Sequence, residues 1–327
     1  MRRLKVLYLP ESTTDAYWRE DLFARLGDRH DCVEIDFAQP LAPQFAGVDV
    51  VVDMGGSVGT REMMDAAVDA RLWVVVGTGL DHVDVDYLRQ RGFMVTYCPG
   101  PMSAVALAEC AMMLMAMLVR EYKRTQEFFR QRVRYAPTVG DLEGMSLLIL
   151  GFGASGRALA RRAKAFDMQV WGIDVRPVEA KVRDELQPDF LGTPDDLDRL
   201  LGECDILSLH LYLHAATENI IDARRIGLMR PAAHLINVAR GKLVDNEALY
   251  AALLAGRLAG AGLDVFANEP EDPDHPVFQL PNVVVSPHIA GETRGTARKR
   301  NAVVTDNIDR LANARELLYR VDGERPT

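Results

Sequence analysis

Three side chains of this 327-residue chain have the types and positions to move a proton on and off an oxygen beside a carboxylate. Arg240, Glu269 and His288 each fall at, or just past, the end of a short apolar run in the second half. Arg240 stands in Asn237-Val238-Ala239-Arg240-Gly241, Glu269 follows the run ending at Phe266, and His288 stands in Ser286-Pro287-His288. An arginine fork holds a carboxylate and polarises a carbonyl, and an imidazole exchanges a proton with the oxygen. A glutamate beside the imidazole orients it and favours its protonated form. Taken singly, a histidine is as often structural and an arginine more often solvated, so the weight rests on the combination. If the runs are strands of an open α/β sheet, their carboxyl ends form the ligand crevice and the three share one cleft.

A second constellation lies upstream. Gly151-Phe152-Gly153-Ala154-Ser155-Gly156 directly follows an apolar run and directly precedes a helical one. A bare GxGxxG is a weak signal, but between strand and helix it acquires a mechanism. Gly151 permits the tight turn, Gly153 lets backbone approach a pyrophosphate, Gly156 allows close helix packing, and the N–H groups from Ala154 and Ser155 onward open the helix. Asp174 ends the next apolar run about 20 residues on, where a carboxylate accepts from the adenosine ribose and repels a 2′-phosphate. This pattern predicts NAD as cofactor. Arg176 keeps NADP open as the alternative, and the competing structural role of Asp174 is to cap a turn.

The elements that position these groups are readable from periodicity. Strands are predicted at 5–9, 33–37, 48–53, 73–77 and 93–98, with amphipathic helices at 16–26 and 61–70. A second series follows at 146–150, 169–174, 205–210, 234–239, 260–266 and 283–287, six strands matching a dinucleotide-binding sheet. The fold expected is α/β, a Rossmann dinucleotide-binding domain plus a smaller flavodoxin-like α/β domain. Residues 104–119 form the most apolar stretch, interrupted by Glu109 and short of a bilayer span, and read as a buried interdomain or interface helix.

Composition excludes several classes. Acidic residues outnumber Lys plus Arg by 47 to 38, with no basic stripe, which argues against nucleic acid. Cys32, Cys98, Cys110 and Cys204 lack metal or disulfide spacing, so no metal is expected and a reducing cytoplasm fits. The apolar run at the N-terminus stops at Pro10, too short for a signal peptide, and no membrane partner is expected.

Across nearly its whole length the sequence resembles the D-isomer-specific 2-hydroxyacid dehydrogenases, which include phosphoglycerate dehydrogenase and the glyoxylate and hydroxypyruvate reductases. The resemblance rests on Gly77-Thr78-Gly79-Leu80-Asp81, Ala106-Leu107-Ala108-Glu109, the glycine motif, Asn237-Val238-Ala239-Arg240-Gly241, Gly262-Leu263-Asp264-Val265-Phe266 with Glu269-Pro270, and Ser286-Pro287-His288. It implies that Arg240 binds the substrate carboxylate and keto oxygen, that His288 is the acid/base, and that Glu269 is its partner. It further implies that N–H groups near Thr78 and Gly79 hold the carboxylate, that Asp264 meets the nicotinamide side, and that His210, Val238, Ala239 and Ser103 line the cofactor. It also implies a homodimer and a discontinuous substrate-binding domain, residues 1–103 with 292–327, around an NAD-binding domain at 104–291. The sequence departs from the family at Tyr97, where an asparagine is usual, at His210-Leu211-Tyr212-Leu213, which replaces a His-x-Pro-Leu motif, and at Ser103, where threonine is usual.

The reaction expected is hydride transfer between nicotinamide and C2 of a small 2-hydroxy/2-keto acid. The predicted specificity loops, Met54-Gly55-Gly56-Ser57-Val58-Gly59 and 77–81 with Met102 nearby, carry no lysine or arginine, which favours glyoxylate or hydroxypyruvate over a phosphorylated acid. Competing readings are phosphoglycerate dehydrogenase, formate dehydrogenase, against which Glu269 argues, and an NAD(H)-sensing binding protein of the corepressor type.

Overall fold

A computed structural model describes residues 2–55 and 58–321. Gly56 and Ser57 of the first predicted specificity loop, and 322–327 of the C-terminal segment, lie outside the described residues. The chain divides into two compact units, Met1–Met102 with Thr293–Thr327, and Ser103–Glu292.

The first unit is built on five parallel strands: β1 (Lys5–Leu9), β2 (Asp31–Glu34), β3 (Val50–Met54), β4 (Leu72–Val76) and β5 (Met94–Tyr97), in the order β2-β1-β3-β4-β5. This is the flavodoxin-like order. β3 and β4 are buried at every position, which is why they read as unbroken valine-rich runs. The two-residue alternation still sorts them. Val50, Val52, Leu72 and Val74 pack with Trp18, Leu22, Val304 and Ile308, while Val51, Trp73 and Val75 pack with Phe45, Met63 and Leu88 on the other face. The C-terminal helix Arg294–Ala312, capped by the Thr293 hydroxyl accepting from Thr296 N–H at 3.1 Å, therefore completes this unit's core.

The second unit carries seven parallel strands, β6 (Ser146–Leu150), β7 (Gln169–Ile173), β8 (Phe190–Gly192), β9 (Ile206–Leu209), β10 (His234–Asn237), β11 (Gly260–Leu263) and β12 (Val283–Val285), ordered β12-β11-β10-β9-β6-β7-β8. Read from β8, this is the doubly wound order 3-2-1-4-5-6 with one strand added. The sequence predicts six. β8 escapes it because a three-residue, half-buried edge strand pairing only with β7 has too little apolar pattern to register. The predicted strands also overrun at their carboxyl ends, since the apolar run continues into the loop: 260–266 pairs only as far as Leu263.

The helix Ala104–Val119 owes its apolarity to this unit's own core. Ala108, Ala111, Leu114, Met115 and Leu118 pack with Ile149, Ile236 and Leu159, and a Cβ on Gly262 of β11 would sit 2.9 Å from Leu114. On its far side Val105 and Met113 are exposed. Among the described residues no helix is long and apolar enough to cross a membrane.

Candidate active site

The turn after β6 shows why glycine recurs there. Gly151 has φ +98°, and a Cβ on it would lie 2.5 Å from the His210 carbonyl oxygen. A Cβ on Gly156 would lie 2.1 Å from the Gly151 oxygen, so helix and turn close only over a bare α-carbon. At Gly153 a Cβ would meet nothing within 4 Å: this side of the loop opens outward. The helix Ala154–Ala165 starts there with no side-chain cap, leaving its first N–H groups to a ligand or solvent.

Asp174, just past β7, sits at the rim. Its Oδ2 accepts from Phe152 N–H at 2.9 Å and its Oδ1 from Arg176 N–H at 3.0 Å, so it also caps the turn, the structural role weighed against the ribose one. Phe152, Gly153, Ala154, Arg157, Asp174 and Arg176 line most of a cavity of about 360 Å³. An outward cradle, a helix with unused N–H groups and a fixed carboxylate fit a dinucleotide. The His210 ring is bracketed by the hydroxyls of Ser155 at 3.1 Å and Ser208 at 3.0 Å, and burial pushes its pKa down to about 4, keeping it neutral. Val238, Ala239 and Ser103 are buried nearby in sequence to the strand ends and the apolar helix.

The predicted triad assembles past β10, β11 and β12. His288 Nδ1 lies 2.7 Å from Glu269 Oε2, and Glu269 Oε1 accepts from Phe266 N–H at 2.9 Å. Burial works to raise the Glu269 carboxyl, but the bonds from His288 and Phe266, with the charge of nearby Arg240, together bring it below the ordinary carboxylate value. Glu269 is therefore ionised at neutral pH. Because Nδ1 is engaged, Nε2 of the half-exposed His288 ring is left for other chemistry. Arg240 donates from Nη1 to the Ala239 oxygen at 2.9 Å. Asn237 braces that turn, donating from Nδ2 to the Arg240 oxygen at 2.8 Å and accepting from Ala239 N–H at 3.1 Å.

Asp264 is fully buried. Its Oδ1 accepts from the Ser286 hydroxyl at 2.6 Å and Ile289 N–H at 2.9 Å, and its Oδ2 from Ala290 N–H at 2.8 Å. The backbone of His288, held at φ +54°, donates to the Asp264 oxygen at 2.7 Å. The carboxylate thus ties down the turn that presents His288, whereas the resemblance places it against the nicotinamide.

In the first unit Thr78 donates to the Cys98 oxygen at 3.0 Å, and the following Gly79 is buried. Arg300, which the sequence reading passed over, reaches this turn from the C-terminal helix. It donates from Nη2 to the Thr78 hydroxyl at 3.3 Å and from Nη1 to the Val76 oxygen at 3.4 Å, with its guanidinium over the Trp18 ring. A signal was available. Ala297, Arg300, Val304, Ile308 and Leu311 recur at helical spacing, and all are buried.

A doubly wound sheet with a nucleotide cradle at its switch point and a hydrogen-bonded histidine–carboxylate pair at its strand ends defines a nicotinamide-dependent oxidoreductase. The profile of the D-isomer specific 2-hydroxyacid dehydrogenase NAD binding domain matches residues 112–290. A glyoxylate reductase of Thermofilum pendens is 36% identical over 274 residues, covering 81% of this chain and 76% of that protein. The glyoxylate/hydroxypyruvate reductase B of Pectobacterium carotovorum is 33% identical over 88% of this chain and 90% of that protein. Among solved structures, the NADPH-dependent glyoxylate/hydroxypyruvate reductase of Sinorhizobium meliloti, in complex with NADP and malonate, superimposes with a TM-score of 0.81 at 27% identity, covering both chains fully at 100%. The chain belongs to the D-isomer specific 2-hydroxyacid dehydrogenases. It is an oxidoreductase of 2-hydroxy acids whose coenzyme is NAD, with NADP as the alternative.

Proposed function

We propose that this dehydrogenase reduces small 2-keto acids that carry no charge beyond the carboxylate, glyoxylate and hydroxypyruvate, with NADH, and that Arg240, Glu269 and His288 are its catalytic residues. The observation that carries the reading is the 2.7 Å contact between His288 Nδ1 and the ionised Glu269, with the Arg240 charge beside it.

When bound, the reduced nicotinamide supplies the hydride that C2 accepts. His288 delivers a proton from Nε2 to the former carbonyl oxygen, and the ring left behind is neutral. Glu269 stays ionised throughout, orients the ring through Nδ1 and stabilises its charged form before the transfer. The Arg240 fork binds the carboxylate and polarises the keto oxygen, and the N–H groups of Thr78 and Gly79 hold the carboxylate. In the oxidative direction the same groups act in reverse. The Asp174 carboxylate selects the ribose of NAD, while His210, Val238, Ala239 and Ser103 line the coenzyme site and Asp264 supports it through the His288 turn.

Several of the most similar curated proteins are glyoxylate reductases, and one from Thermotoga maritima is a hydroxypyruvate reductase. Against a phosphorylated substrate, the described specificity loops lack a cation for a phosphate. Residues 1–103 with 292–327 serve as the substrate-binding domain and 104–291 as the NAD-binding domain. A homodimer in the cytoplasm is part of the reading; exposed Met113, Phe129 and Tyr135 support the dimer.

The test is NADH oxidation against glyoxylate, hydroxypyruvate, pyruvate and phosphohydroxypyruvate. The highest kcat/KM is expected on one of the first two. A clear preference for the phosphorylated acid overturns the substrate class, and light scattering of the purified protein checks the dimer.

A further inference from the structure

The coenzyme cavity contains an ion pair that a dinucleotide without a 2′-phosphate does not require. Arg157, one turn into the helix Ala154–Ala165, donates from Nε to the Phe152 oxygen at 2.9 Å, and its Nη2 lies 2.8 Å from Glu179 Oε2. Arg176 stands at the same rim, 3.8 Å from Asp174 Oδ1. Two guanidinium groups thus line the cavity, and each faces a carboxylate: Glu179 for Arg157 and Asp174 for Arg176. The Glu179 carboxyl is held below its ordinary value, first by its own backbone N–H and then by Arg157 and Arg176, so it is charged at neutral pH.

We propose that Glu179 is a coenzyme-selectivity residue: by holding Arg157 in an ion pair, it withholds from the adenosine end of the cavity the cation that a ribose 2′-phosphate would need. This deepens the NAD reading and rests on the nucleotide occupying this cavity. A phosphomonoester brings a charge of about −1.5 to −2 at neutral pH. In this cavity it meets Asp174, which two N–H bonds keep from swinging aside, and two cations whose charge is already matched. Without Glu179 the planar fork of Arg157 is free to bind two phosphate oxygens. NADH has no 2′-phosphate for the released fork to bind, so the effect falls on the ratio of the two affinities. Glu179 is mostly exposed, so its hold on Arg157 is screened by salt and the expected effect is about two- to tenfold.

The experiment titrates NADH and NADPH binding by nicotinamide fluorescence, with no keto acid present, for the wild type, Asp174→Ala, Asp174→Ala/Glu179→Gln, and that double variant with Arg157→Met added. Asp174→Ala should lower the ratio of the NADPH to the NADH Kd. Adding Glu179→Gln should lower it about two- to tenfold further, and adding Arg157→Met should return it to the Asp174→Ala value. An unchanged ratio on adding Glu179→Gln, or a gain that survives Arg157→Met, overturns the proposal. A ratio that fails to move with Asp174→Ala but does move with Glu179→Gln counts against the ribose role of Asp174 and leaves the role of Glu179 standing.

Discussion

Both units end their parallel strands in polar groups, but the second unit partners those groups and the first leaves some bare. In the second unit, the carboxylates after β7 and β11 and the ring after β9 have both heteroatoms hydrogen-bonded. Among the described residues its one buried side-chain atom without a partner, His234 Nδ1, lies at the amino end of β10. In the first unit Asp53, at the carboxyl end of β3, is fully buried with Oδ1 unpartnered, and Thr96 Oγ1 of β5 is likewise bare. Burial pushes Asp53 up to about 6, against the bonds from the Trp73 indole and the N–H groups of Val58 and Gly59. A site that does proton chemistry needs its groups held in one geometry, which full hydrogen bonding supplies. The first unit keeps a costly acid under its loop instead.

The sharpest way to break this contrast is at the acid/base pair. His288→Ala should reduce kcat by about 10²- to 10⁴-fold while NADH binding, measured by fluorescence titration, is retained. An unchanged kcat removes the second unit's claim to the chemistry. Gly156→Ala tests the cradle next, because its new Cβ must displace the Gly151 carbonyl. The expected result is a loss of about 1–3 kcal/mol of stability in urea unfolding, together with weakened NADH binding.

Buried Asp53 and His210 should give the two units opposite responses to pH. The folded chain holds a proton on Asp53 above the unfolded value of 3.8, so that contribution to stability is present below 3.8 and is lost as pH rises through about 6. His210, depressed from 6.5 to about 4, contributes stability present above 6.5 and lost as pH falls towards 4. Each amounts to something on the order of 3 kcal/mol. The urea stability of wild type relative to Asp53→Asn should therefore fall between pH 4 and 6, and relative to His210→Gln should rise over pH 4 to 6.5. Matching slopes would erase the contrast. The smallest effect is expected at Arg300, a positioning residue for the Thr78 turn. Arg300→Met should raise the KM for glyoxylate about two- to tenfold through a lost hydrogen bond, with the NADH Kd unchanged, and Arg300→Lys should restore part of it.

Much of the fold was legible because parallel strands buried on both faces announce themselves as unbroken aliphatic runs, valine-rich in β3 and β4 and leucine-rich in β6. The glycine motif and Asp174 were legible for a covalent reason: their spacing is set by one strand, one turn and one helix, all local in sequence. β8 was not legible, nor was the point at which β11 stops, because pairing partners decide both.

By itself, then, the sequence determined most strands of both series and the glycine turn, and it singled out Arg240, Glu269 and His288 as candidates, since backbone propensity and side-chain chemistry are properties of residues. Only the tertiary structure decided which partner each group meets. It brought Glu269 within 2.7 Å of His288 across 19 residues of chain. It turned Asp264 into the anchor of the His288 turn, set Arg300 beneath Thr78 across 222 residues, and left Asp53 buried at the end of its strand. Charge and hydrogen-bonding capacity are written in the residue, but distance, burial and the dielectric around a group come from the rest of the folded chain.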